Sequence, residues 1–146
     1  MACYNAVRSQ QRKNNPNWME RRVVQASIEQ RQLEPGQIAK IALEVASDKK
    51  ATDIVLLDIQ GISVIADYFV ICTGANPRQI LAVARAIDEK LSEAGLPAFH
   101  REGIADTGWV LLDYGDVIIH IFSPKEREYY RLERLWSNAK TVVYLQ

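Results

Sequence analysis

The chain has 146 residues, 48% of them apolar, with 18 Lys and Arg balanced by 18 Asp and Glu. That is the size and apolar content of one domain with its own core, and zero formal net charge argues against wholesale coating of DNA or RNA. No run approaches 18 consecutive apolar residues, the N-terminus lacks the apolar stretch of a secretory signal, and two cysteines (Cys3 and Cys72) are too few for a disulfide-stapled scaffold. A cytoplasmic protein with no membrane partner is the expectation.

The neutrality hides an asymmetry. Residues 1–36 carry six basic and three acidic side chains, and residues 37–146 carry twelve and fifteen. The first fifteen residues are polar and rich in Asn and Gln, and 17–34 show only a ragged helical pattern in Trp18, Met19, Val23, Val24 and Ile28. Residues 1–36 are therefore expected to form a basic, largely flexible arm ended by Pro35-Gly36, with the folded domain over 37–146.

Within that domain, Ile38, Ile41, Ala42 and Val45 predict a helix over 38–49. Short runs of strand formers follow at 54–57 and 68–72, broken by Gly61 and Gly74. Asn76, Pro77 and Gln79 supply a cap, an N1 proline and the third residue of a capping box for a helix over 77–94. Its apolar face is Ile80, Val83, Ala84, Ile87 and Leu91. A short strand is expected over 98–101. Two apolar runs, 109–112 and 117–122, flank Asp113-Tyr114-Gly115-Asp116 and read as a β-hairpin. Ser123-Pro124-Lys125-Glu126 opens a last helix over 124–137, with Tyr129, Leu132, Leu135 and Trp136 as its stripe. The order implies an α/β (α+β) domain, with a mixed sheet of about five strands flanked by helices.

Catalytic and metal signals are weak. His100, His120, Cys3 and Cys72 make no CxxC, HxxxH or HExxH spacing, and no Gly-rich phosphate loop is present. His120 is expected as a strand histidine satisfied by a neighbouring carboxylate or carbonyl, and Cys72 as a buried thiol. Asp113 and Asp116 bracket the hairpin turn, where Asp serves local backbone bonding as readily as a metal. No cofactor is expected. Interaction features are stronger: Trp109, Tyr114, Tyr129, Tyr130 and Trp136 crowd the last forty residues together with Arg127, Arg131 and Arg134. Aromatic and Arg side chains of this kind dominate protein–protein hot spots.

Three blocks give these features a context. They are Asp67-Tyr68-Phe69-Val70-Ile71-Cys72-Thr73-Gly74, the hairpin from Trp109 to Phe122, and Tyr130-Arg131-Leu132-Glu133-Arg134-Leu135-Trp136. With Gly61-Ile62-Ser63 and Arg101-Glu102-Gly103 they resemble, in order and over roughly residues 37–140, the ribosomal silencing factor (Iojap-like) family. One departure is Asn76, where the family usually carries Ser, and Asn caps equally well. The resemblance implies a nucleotidyltransferase-type fold that lacks the Gly-Ser and Asp-x-Asp catalytic pairs, and hence no enzymatic activity. It also implies binding to the large ribosomal subunit through ribosomal protein uL14, block of joining with the small subunit, repression of translation, and frequent homodimers. Trp109, Asp113, Tyr114, Asp116, Arg127, Tyr130 and Trp136 are the expected partner-binding residues, and the basic arm is a candidate contact for ribosomal RNA. The alternative is a divergent, metal-dependent nucleotide-binding enzyme on the same fold.

Overall fold

The first helix begins before the expected residue 38. In the computed structural model, which describes residues 33–146, helix α1 spans Pro35–Asp48 with Glu34 as its N-cap. The Gln37 side-chain carbonyl accepts the Glu34 N–H at 2.9 Å. Pro35 thus opens a helix and does not end an arm, because its fixed φ and missing N–H suit the first helical position. The expectations for residues 1–32, and for Cys3, lie outside the described residues.

Strand β1 (Thr52–Asp58) runs antiparallel to β2 (Tyr68–Thr73). Helix α2 (Pro77–Glu93) follows and buries all five residues of its expected face. Its start is tied twice. Asn76 Oδ1 accepts the Gln79 N–H at 2.9 Å, and Gln79 Oε1 accepts the Ala75 N–H at 2.7 Å, one residue upstream of a regular capping box. Gln79 Nε2 then donates to the carbonyls of Lys49 and Lys50 at 3.2 and 2.9 Å, clamping α2 to the turn after α1.

Strand β3 (His100–Glu102), a 3-10 turn (Ala105–Thr107), β4 (Trp109–Asp113) and β5 (Val117–Phe122) complete the expected strands. Two features depart from expectation. The last helix is broken into α3 (Pro124–Tyr130) and α4 (Leu132–Leu135), because Arg131 adopts a left-handed conformation at φ 45° and ψ 55°. A sixth strand, β6 (Lys140–Leu145), pairs antiparallel with the outer side of β1. Its Thr-Val-Val-Tyr-Leu run has strand character, but Val143 alone in β6 is even half-buried, so no burial pattern announces it.

The sheet order is β3-β4-β5-β2-β1-β6. The β2 and β5 pairing is parallel and the others are antiparallel. One face carries Leu56, Val70, Cys72, Leu112, Tyr114 and Ile119 into a core closed by α1 and α2. The other carries Val55, Leu57, Phe69, Ile71, Ile118 and Phe122, with Leu132 and Trp136 packed over them. Urea titrations should show Asn76→Ala destabilised by about 1 kcal/mol. Gln79→Ala, which loses three hydrogen bonds, should lose about 2 kcal/mol.

Candidate docking surface

The second sheet face holds a connected run of aromatic rings. Trp109 stacks on Phe122 (centroids 5.2 Å apart, 27°) and lies 4.7 Å from Tyr130 of α3. Tyr130 meets Tyr129 edge-on at 5.0 Å. Inward, the Trp109 indole N–H donates to His120 Nδ1 at 3.3 Å, and Phe69 meets both His120 and Trp136 in T-shaped contacts at 5.0 and 5.3 Å. The inner rings are core. The outer ones are not: Tyr130 is 38% exposed, Tyr129 76% and Leu135 73%. The expected stripe of the last helix is therefore corrected. Leu132 and Trp136 pack inward, while the left-handed Arg131 turns Tyr129 and Leu135 to solvent.

The same elbow makes an ion pair possible. Residues six apart on a straight helix point to different sides, since each residue advances about 100°. Across the bend, the Arg127 guanidinium pairs with Glu133 and also donates to Thr73 Oγ1 at 3.0 Å, at the end of β2. Beside Trp109 lies a cleft of about 220 Å³, lined by Trp109, Leu111 and Tyr130 together with the acids Glu102 and Glu126. Gly103 also lines it at φ 83°, where a Cβ would fall 2.1 Å from the Trp109 carbonyl oxygen. An apolar lining that includes two acids suits an aliphatic or cationic side chain of a partner.

The expected site residues do not form one surface. Alternation along β4 sends Trp109 and Leu111 to the aromatic face and Val110, Leu112 and Tyr114 to the α1/α2 core. Tyr114 is 3% exposed and its hydroxyl donates to Asp88 Oδ1 at 3.2 Å. Burial, followed by the Asp88 charge and hydrogen bond, pushes that hydroxyl's pKa well above its ordinary value. This ring has no surface to offer a partner. Asp113 spends one carboxylate oxygen on the Gly115 N–H at 2.8 Å, as turn chemistry predicts. Asp116 is exposed, but it lies with Asp113 at the opposite end of the strands from Trp109, about 13 Å away over five residues. Arg127 is held by Glu133 and Thr73, and Trp136 is half-buried against Phe69. Trp109 and Tyr130 meet at the cleft, and Tyr129, which was not among the expected site residues, extends the patch.

His120 is satisfied differently from expectation. Its Nδ1 accepts from Trp109, not from a carboxylate or carbonyl, and its buried Nε2 has no nitrogen or oxygen partner. Burial lowers its pKa from 6.5 to about 4. Burial likewise pushes the Cys72 thiol up to about 12, the weaker Arg127 charge opposing it. Among the described residues no group of three or more His, Cys, Asp or Glu is placed to hold a metal ion.

Two measurements check this site. The unfolded state binds a proton at residue 120 between pH 6.5 and 4, where the native state does not. The neutral His120 therefore costs nothing above pH 6.5, and stability falls as pH drops toward 4, by about 3 kcal/mol in all. His120→Phe should remove that part of the acid slope in urea midpoints. Gly103→Ala should lose at least about 2 kcal/mol, from its positive φ and the overlap with backbone.

A family profile described as "Ribosomal silencing factor during starvation" matches residues 32–146. A ribosomal silencing factor of Bacillus subtilis (strain 168) is 47% identical over 102 residues, which is 70% of this chain and 86% of that protein. A crystal structure of a Chromobacterium violaceum protein superposes with TM-score 0.69 at 36% identity, covering 76% of this chain and 94% of that one. A Bacillus halodurans structure gives 0.65 at 38%, covering 74% and 98%. With every described residue inside the profile and relatives this similar along most of their own length, the chain belongs to the ribosomal silencing factor family.

Proposed function

We propose that this protein is a stoichiometric blocker of ribosomes in the cytoplasm. It binds the large ribosomal subunit through ribosomal protein uL14, and by occupying that face it prevents joining with the small subunit and represses translation. Family membership supports the target. The observation that carries the mode of action is the aromatic cleft: Trp109 and Tyr130 present a fixed apolar wall beside two acids, with Tyr129 and Leu135 exposed on the adjoining helices. Rings already packed against Phe122 lose little freedom on binding, which favours a desolvated anchor. Glu102 and Glu126 meet basic side chains of the partner and steer its approach.

The bend at Arg131 sets the angle between Tyr129 and Tyr130 on α3 and Leu135 on α4. Arg127 acts by holding that bend through Glu133 and Thr73, and Trp136 by anchoring its far side on Phe69. Asp113, Tyr114 and Asp116 stand outside this surface.

The test is a subunit-joining assay with purified subunits, after each variant has been checked for native thermal unfolding. Tyr130→Ala should raise the concentration needed to block joining by about thirtyfold, the equivalent of about 2 kcal/mol. Glu126→Lys should slow association and flatten its salt dependence more than it changes dissociation. Asp116→Lys should block joining like the wild type. Folded Tyr130→Ala that blocks at the wild-type concentration would remove the cleft from the interface.

A further inference from the structure

The end of the sheet opposite Trp109 has features that the aromatic cleft does not use. Residues 59–67 join β1 to β2 there, and the turn between β4 and β5 lies beside them. The Asp116 carbonyl accepts the N–H groups of Asp67 and Tyr68 at 2.7 and 3.1 Å. The loop is tied internally as well. The Ile59 carbonyl accepts from Ile62 and Ser63, both at 3.1 Å, and Ser63 Oγ accepts the Ile65 N–H at 3.0 Å.

From this frame Val64 stands wholly in solvent, with Ile65 62% and Ile62 45% exposed. Phe99, 70% exposed, sits against Gly115 of the neighbouring turn, where a Cβ would lie 2.8 Å from its ring. Scattered apolar residues on a surface need no explanation, but Ile62, Val64 and Ile65 share one hydrogen-bonded loop, and Phe99 stands at the same end of the sheet, across the Asp116 turn from it.

The charge at this end is one-sided. Asp58, Asp67, Asp113 and Asp116 all lie here, and none is in an ion pair among the described residues. Among the described residues the basic side chains near this end are Lys140, cross-strand from Asp58, and Arg101 of β3, which is spent on Asp88, while His100 lies cross-strand from Asp113. A net negative potential beside aliphatic side chains repels phosphate groups and attracts cations. It therefore disfavours nucleic acid and anionic lipid, and favours a basic polypeptide with apolar side chains of its own.

We propose that this end of the sheet is a second docking surface, which takes a basic protein segment whose aliphatic side chains cover Val64, Ile65 and Phe99 while its Lys or Arg side chains meet Asp67 and Asp116. The surface is separate from the Trp109 cleft, so both can be occupied together.

The full chain is titrated by fluorescence anisotropy with a fluorescein-labelled decapeptide of lysine and leucine. A glutamate-for-lysine version and a ten-nucleotide RNA are run in parallel. The lysine peptide should bind saturably and more weakly as salt rises. The double variant Val64→Ser with Ile65→Ser, and separately Asp116→Lys, should each weaken it at least tenfold, and Tyr130→Ala should leave it unchanged. All these side chains are exposed, so the fold survives the changes. Lack of saturable binding by the lysine peptide, wild-type affinity in the two loop and turn variants, equal binding of the glutamate peptide, or an equal loss in Tyr130→Ala would each overturn the proposal. Tighter binding of the RNA, lost in the Val64→Ser with Ile65→Ser variant, would overturn it in favour of a nucleic-acid surface. Because Tyr130→Ala separates the two ends, failure here leaves the reading of the aromatic cleft standing.

Discussion

Strand β5 is buried at all six of its positions, and that burial governs the rest of the molecule. A strand hidden on both faces needs two covers, and this chain supplies unequal ones. Helices α1 and α2, fourteen and seventeen residues long, close one face with Ile38, Ala39, Ala42, Ala46 and the five-residue face of α2. Small residues on α1 let its backbone lie close to the sheet. The other face receives only the seven residues of α3 and the four of α4. Rings make up the shortfall, since each covers more area per residue than an aliphatic side chain. The aromatic run from Phe69 through His120 and Trp109 to Tyr130 is therefore both a core and the edge of a core, and its outermost members emerge at the surface.

This accounts for what the sequence revealed and what it withheld. Helix α2 was readable residue by residue because its cap, its N1 proline and its apolar face are all local signals, and all five expected residues are buried. The hairpin was readable because two apolar runs surround a turn with Gly115 at positive φ. The break at Arg131 was not, because a left-handed Arg has no signature of its own and the stripe from Tyr129 to Trp136 looks continuous. The bend is held by Arg127, Glu133 and Thr73, and Thr73 lies fifty-four residues from Arg127. Likewise β6 is an edge strand whose side chains remain largely in water, so its pattern carries no record of a core. The start of α1 was missed for a simpler reason: a proline followed by glycine punctuates chains far from helices as readily as it opens one.

The candidate site was legible as a set of residue types but not as a place. Hairpin residues that are neighbours in sequence are distributed by two independent rules: side chains alternate between faces, and the strand carries its two ends apart. Trp109, Tyr114 and Asp116 lie within eight positions of one another, yet they occupy the aromatic face, the opposite core and the far end of the sheet. Composition can count aromatic and acidic side chains in such a segment. Only the register assigns them to surfaces, and it is fixed here by the parallel pairing of β2 with β5, Tyr68 opposite Val117 and Thr73 opposite Phe122.

The outer pairing of β1 has a kinetic consequence. Ile54 meets Leu145 and Leu56 meets Val143, contacts between segments about ninety residues apart. The parallel pairing of β2 and β5 also waits on everything between them. Closing such long loops is costly before their contacts reward it, so this topology belongs with slow folders despite its two long helices. Until β6 arrives, the outer side of β1 is a row of unpaired backbone groups on a strand that reads Ile-Val-Leu-Leu, an open template for another extended chain. The burden on the cell is therefore greatest while the protein is being made, before its last strand has covered that edge.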